Sequence, residues 1–155
     1  MSLKEGDAAP DFAMAATGGR SVNLKDYTGK PFLLYFYPKA DTTGCTKEAC
    51  AFQEALPQLG HLGLDVIGVS RDPMKALEKF AAKYSLTFPL ASDAEGEVTE
   101  AYGVWVEKSM YGRKYMGIER STFLIGRDGK IAKVWPKVSV TGHAADVLKA
   151  AQALS

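Results

Sequence analysis

Apolar residues in this chain follow two rhythms. Residues 32–37, Phe-Leu-Leu-Tyr-Phe-Tyr, form an unbroken apolar and aromatic run of strand length, the pattern of a strand covered on both faces. Over residues 45–62 the spacing changes to three and four: Ala49, Phe52, Leu56 and Leu59 draw one stripe down a helix. Pro57 interrupts that pattern and is expected to kink the helix or end its regular part. Residues 66–69 read as a second buried strand. Asp72 and Pro73 then read as N-cap and first helical residue, and Leu77, Phe80, Ala81 and Tyr84 stripe the helix that follows. Residues 88–91 form a short strand, which Pro89 places near a sheet edge. Residues 92–95, Ser-Asp-Ala-Glu, have the form of a capping box and start a short helix ending near Tyr102 and Gly103.

Residues 104–118 read as a long irregular segment, partly aromatic. Strands over 121–125 and 130–135 flank Gly126-Arg-Asp-Gly129, with Asp128-Gly129 as a hairpin turn. A final amphipathic helix covers 142–154. The first 30 residues are rich in Gly and turn formers and offer a strand over 21–24. Strand and helix alternate and then give way to a hairpin. This order implies an α/β domain with a mixed central sheet and helices on both faces. No linker, repeat or charge block divides the chain, so one domain is expected over residues 1–155.

The chain has 155 residues with a formal net charge of +1, so no strong field draws nucleic acid or an anionic membrane. Lys108, Arg113, Lys114 and Arg120, with Tyr111 and Tyr115 among them, are read as a solvated loop near the active site. No apolar run approaches the roughly 18 to 20 residues of a membrane span. The polar start of the chain lacks a signal-peptide core, which makes cytoplasm the expected compartment.

Cys45 and Cys50 are the two cysteines. Cys45 follows the strand over 32–37 and opens the helix. The free N–H groups and positive dipole end there favour thiolate over thiol, which makes Cys45 a candidate nucleophile and Cys50 a candidate trap for its oxidised form. In a regular helix, residues five apart have Cα atoms separated by about 8.7 Å, from the rise and turn per residue. A disulfide needs about 4.4 to 6.8 Å. Pairing therefore requires the first turns to unwind, at the low cost typical of a helix end. His61 and His143 show no zinc-ligand spacing with the cysteines and are read as surface or capping residues. A disulfide oxidoreductase acting on proteins is disfavoured by the absence of Cys-x-x-Cys. A redox sensor, oxidised once rather than turned over, is a third reading.

Pro38, Thr42 and Cys45 fit the pattern Pro-x-x-x-Thr/Ser-x-x-Cys, and the chain resembles the peroxiredoxins. The Tyr-Phe-Tyr-Pro-Lys-Ala run and the Cys-x₄-Cys spacing resemble their bacterioferritin comigratory protein, or peroxiredoxin Q, subgroup. The segments Gly-Asp-Ala-Ala-Pro-Asp-Phe from Gly6, Tyr-Gly-Val-Trp from Tyr102 and Gly-Ile-Glu-Arg-Ser-Thr-Phe-Leu-Ile from Gly117 extend the likeness over nearly the whole chain. Thr43 stands where the subgroup commonly has proline, which leaves the loop before the helix less rigid.

The resemblance implies a thioredoxin-like fold, a monomer and reduction of hydrogen peroxide and organic hydroperoxides, with no cofactor or metal. It makes Cys45 the peroxidatic thiolate, and Cys50 the thiol that resolves the sulfenic acid as an intramolecular disulfide. Thr42 would hydrogen-bond peroxide and thiolate, and Arg120 would stabilise the negative charge. Gly44 and Cys45 would add backbone donors, Pro38 would shield the thiolate from water, and Glu48 would orient Arg120. The implied reductant is thioredoxin or a glutaredoxin-like protein.

Overall fold

The computed structural model describes residues 3–154; Met1, Ser2 and Ser155, the ends of the expected domain, lie outside the described residues. The chain opens with a hairpin of β1 (Ala13–Ala16) and β2 (Arg20–Asn23), followed by a 3-10 turn over Leu24–Tyr27. Next come β3 (Phe32–Phe36), α1 (Thr43–His61), β4 (Asp65–Ser70), α2 (Met74–Tyr84), β5 (Leu90–Ser92) and α3 (Glu97–Ala101). A second hairpin, β6 (Trp105–Met110) and β7 (Arg113–Ile118), precedes β8 (Ser121–Ile125), β9 (Ile131–Trp135) and α4 (His143–Leu154).

Among the described residues, a seven-stranded sheet has the order β2-β1-β5-β4-β3-β8-β9, and β6-β7 form a separate two-stranded sheet. The central strands β5, β4 and β3 run parallel, while β8 pairs antiparallel with β3. Alternation along β3 sorts its side chains to two cores. Phe32, Leu34 and Phe36 face one core, which includes Ile67, Val69, Phe123 and, from the α3 side, Val98 and Tyr102. Leu33, Tyr35 and Tyr37 face the other, where α1 contributes Ala49, Phe52 and Leu59, α2 contributes Leu77 and Phe80, and α4 contributes Val147 and Ala151. The fold is thioredoxin-like, a mixed sheet with helices on both faces.

Several local expectations give way to tertiary contacts. Helix α1 starts at Thr43, before Cys45, and continues through Pro57 to His61. Strand β5 lies inside the sheet, between β1 and β4, because Pro89 precedes its first residue. Asp72 does not cap α2, whose N-cap is Pro73; its carboxylate instead accepts from Ala40 N at 2.8 Å and Ser70 Oγ at 2.7 Å. Ser92 does not head a capping box either. Buried Asp93 accepts from Val98 N and Thr99 N to cap α3, and Ser92 Oγ donates to the Asp72 carbonyl at 2.7 Å.

The segment 104–118 is a regular hairpin closed by Tyr111 and Gly112, both at positive φ (52° and 76°). His143 is buried rather than at the surface, with Nε2 2.8 Å from Thr122 Oγ1 and its ring edge-on to Phe52 and Trp135. His61 is exposed. No helix among the described residues is long and apolar enough to cross a membrane.

Candidate active site

The parallel strands end where α1 begins. Tyr37 N donates to Val69 O at 3.1 Å, extending the β3–β4 ladder by one bond. The chain then turns through Pro38 to Asp41, with Ala40 N tied to Asp72 at the end of β4. Thr42 is the N-cap, and the first bond of the helix is Thr46 N to Thr42 O at 2.8 Å. The backbone N–H groups of Thr43, Gly44 and Cys45 therefore have no acceptor within the helix, and the positive end of its dipole lies at Cys45. Packing against Tyr37 and Ala49 leaves Cys45 only 1% exposed.

Register brings the cation to it. Antiparallel pairing sets Ser121 opposite Phe36, so Arg120 lies just beyond the C-terminal end of β3, over the start of α1. The Arg120 backbone is held by Val138 N, which donates to its carbonyl at 2.8 Å. Its guanidinium divides between two groups: Nη2 donates to Cys45 Sγ at 3.3 Å and Nη1 to Glu48 Oε1 at 2.7 Å. Gly44 makes room for this, since a Cβ there would sit 3.2 Å from Nη2.

Glu48, one turn beyond Cys45, is fully buried, and among the described residues its Oε2 has no hydrogen-bond partner. Burial pushes its carboxyl up to about 7, against the pull of Arg120 toward ionisation. The site thus holds a buried thiol, a fixed cation and a carboxyl that titrates near neutrality. Among the described residues, no group of three or more His, Cys, Asp or Glu is placed to hold a metal ion. The apolar groove among Pro31, Leu64, Ile131 and Ala151 lies at the opposite end of the sheet, away from the thiols.

The AhpC/TSA family model matches residues 5–134. A putative peroxiredoxin bcp of Coxiella burnetii is 50% identical over 148 residues, covering 96% of this chain and 98% of its own. Peroxiredoxin Bcp of Bacillus subtilis is 43% identical over 155 residues, covering 100% of this chain and 99% of its own. The chain belongs to the AhpC/TSA family. It is a peroxiredoxin of the Bcp and peroxiredoxin Q group, a thiol-dependent peroxidase. In structure it is similar to the bacterioferritin comigratory protein of Xanthomonas campestris, determined in work on that protein's alkyl peroxide reduction activity. The TM-score is 0.89 at 40% identity, covering 97% of this chain and 96% of that one.

In this peroxiredoxin, Cys45, Gly44, Glu48 and Arg120 come together, while other predicted residues stand apart. Thr42 is exposed, and its hydroxyl donates to Lys39 O at 2.8 Å rather than to the thiol. Pro38 is half-buried in the turn that leads to the helix. Cys50 is half-buried and unpaired, and burial, with Glu54 beside it, pushes its thiol up. Both cysteines lie inside α1, so their Cα atoms stay about 8.7 Å apart while the helix is intact.

Two residues near the site carry no signal in local sequence. Asp72 fixes the loop before the helix, and its sequence position favours a different role as a cap. Lys108 sits half-buried on β6, where it feels the charges of Arg120, Glu119 and Cys45; its segment, Trp-Val-Glu-Lys-Ser-Met, does not alternate and carries no strand signal.

Proposed function

We propose that Cys45 is the peroxidatic thiolate and Cys50 the resolving thiol, acting on hydrogen peroxide and organic hydroperoxides. The observation that carries this reading is the Arg120 Nη2 bond to buried Cys45 Sγ in the first turn of a helix. There, free N–H groups and a fixed cation stabilise the thiolate and the oxygen that gains charge as the peroxide bond breaks. The Cys45 thiolate attacks one peroxide oxygen, and the O–O bond breaks. The leaving oxygen takes a proton and departs as water or alcohol, and sulfur is oxidised by two electrons to sulfenic acid.

Thr42 Oγ1 donates to Lys39 O and keeps its lone pairs free to accept the hydroperoxide proton. Pro38 narrows access for water, Gly44 lets the guanidinium approach, and Glu48 holds the other arm of Arg120. Unwinding of residues 43–50 then frees Cys50, whose thiolate attacks the sulfenic sulfur; the S–S bond forms as the S–O bond breaks, and the leaving hydroxide takes a proton and departs as water. An external dithiol of the thioredoxin or glutaredoxin-like type exchanges with that disulfide and leaves oxidised itself. We assign this cycle to one domain acting as a monomer, in the reducing cytoplasm that supplies such dithiols.

The test is peroxide consumption with thioredoxin, thioredoxin reductase and NADPH. Cys45→Ser should abolish turnover, because an alcohol forms no sulfenate. Retained turnover would remove Cys45 from the role.

A further inference from the structure

The end of α2 and the turn after it hold the peroxidatic segment on both sides of the cysteines. The first hold is at Asp41, the residue before the N-cap of α1. Its carboxylate accepts from Lys83 Nζ at 3.0 and 3.3 Å and from the Tyr84 hydroxyl at 2.9 Å. Asp41 has a left-handed φ of 60°, a conformation that its surroundings must fix. Tyr84 is a firm anchor, since its ring packs edge-on to buried Phe80. The second hold is at Gln53, beyond Cys50 in the same helix. Its Oε1 accepts from Thr87 N at 2.8 Å, and its Nε2 donates to Thr87 Oγ1 at 2.9 Å. Thr87 sits between buried Leu86 and Phe88. Pro57 has no N–H to give the Gln53 carbonyl, so the ladder of α1 lacks a rung there, and the Gln53 side chain ties the helix down where the backbone does not. Residues 83–87 thus bracket the stretch 42–52, which carries both thiols.

We infer that Asp41 and Gln53 are positioning residues of the resolving step, the first a brake on the unwinding of α1 and the second its stop. The inference rests on the reading of Cys45 and Cys50 as peroxidatic and resolving thiols. The two reach bonding distance only when the residues between them leave the helix. That rearrangement draws slack from the turn before Thr43, so Asp41 leaves its left-handed conformation and Lys83 and Tyr84 let go. At the other end, the paired bonds to Thr87 hold the helix from Gln53 onward, and unwinding halts before the missing rung. While the brake holds, a second peroxide can transfer an oxygen to the sulfenic sulfur, giving sulfinic acid and leaving as water or alcohol. Lys83 and Tyr84 therefore act on the partition between disulfide and sulfinic acid without touching sulfur.

The test is rapid quench of the full chain with hydrogen peroxide, followed by thiol alkylation and peptide mass analysis, which reads loss of the Cys45 thiol and gain of the disulfide as separate rates. Lys83→Met and Tyr84→Phe should each leave the peroxide step at the wild-type rate and speed disulfide formation by about two- to fivefold, the scale of one exposed ion pair. At excess peroxide their sulfinic fraction should fall accordingly. Raised salt should speed disulfide formation in wild type but not in Lys83→Met, a difference that a general loss of stability does not produce. For the stop, amide exchange is compared between reduced and oxidised protein. In wild type the gain on oxidation should end before Gln53; in Gln53→Met it should run on through residues 53–56. Wild-type disulfide rates in both Lys83→Met and Tyr84→Phe, or an unmoved exchange boundary in Gln53→Met, would overturn the inference and leave the thiol roles intact. A wild type that forms no Cys45–Cys50 disulfide would overturn the resolving role of Cys50, and this inference with it.

Discussion

Arg120→Lys is the substitution whose cost can be worked most directly from the site. The guanidinium makes two bonds at once, 2.7 Å to Glu48 Oε1 and 3.3 Å to Cys45 Sγ. Lysine keeps the charge but is a point donor on a flexible stem and cannot reproduce the planar fork. Its ammonium will favour the carboxylate, leaving the thiolate without its side-chain donor. A hydrogen bond to a charged group contributes about 1.5–3 kcal/mol. At about 1.36 kcal/mol per factor of ten, its loss slows peroxide attack by about 10- to 150-fold.

Arg120→Ala removes both bonds. Buried Glu48 then loses the attraction that favours its ionised form, so its carboxyl titrates above about 7 and is protonated at neutral pH. Adding Glu48→Gln to Arg120→Ala should therefore recover none of the lost rate. The assay is single-turnover stopped-flow with hydrogen peroxide in a Cys50→Ser background, with thermal unfolding followed separately to identify variants that fail to fold. A well-folded Arg120→Lys protein that reacts as fast as its parent would refute the assignment of the Arg120–Cys45 bond to the chemical step.

Two further predictions separate rate from stability. Gly44→Ala places a methyl 3.2 Å from Arg120 Nη2, so the guanidinium must shift by tenths of an ångström; peroxide attack should slow while helix stability rises by up to about 1 kcal/mol, which stopped-flow and denaturant melts will read independently. Burial pushes the His143 imidazole down to about 4, so its folded pKa lies below the usual 6.5, and its contribution is present above pH 6.5 and lost as pH falls toward 4. That loss is on the order of 3 kcal/mol at about 1.36 kcal/mol per pH unit, and His143→Gln should remove it; equal pH slopes for the two proteins in urea melts between pH 6.5 and 4 would contradict the account. Glu48 runs the other way over an overlapping window, since its raised carboxyl favours the fold at low pH, so only the difference between wild type and variant isolates His143.

The parts legible in sequence are those where local pattern and tertiary use agree. The unbroken run of β3 is buried on both faces, and the Asp128-Gly129 turn joins β8 to β9. Cys45 was legible from its place at the start of a helix, Arg120 only through a family pattern. No periodicity links residues 75 positions apart, and it is the Phe36–Ser121 register that brings them together. The β6–β7 hairpin escaped because its turn uses Tyr111 at positive φ, and most of its side chains are exposed, leaving no apolar face to read. Strand β1, Ala-Met-Ala-Ala, has weak strand propensity and exists through pairing with β2 and β5. Asp72 and His143 were misread for a common reason: local capping rules describe a side chain's nearest options, while Ala40 and Thr122 lie far away in sequence and close in space.

The central claim is that Cys45 is oxidised first and that Cys50 reaches it only when the start of α1 unwinds. It is tested most directly by peptide mass analysis after one equivalent of hydrogen peroxide, combined with amide hydrogen exchange over residues 43–51. Wild type should show a Cys45–Cys50 disulfide and faster exchange in that segment. Cys50→Ser should show a single added oxygen on Cys45 with the helix still protected. A disulfide formed without any gain in exchange, or oxygen found first on Cys50, would contradict the account.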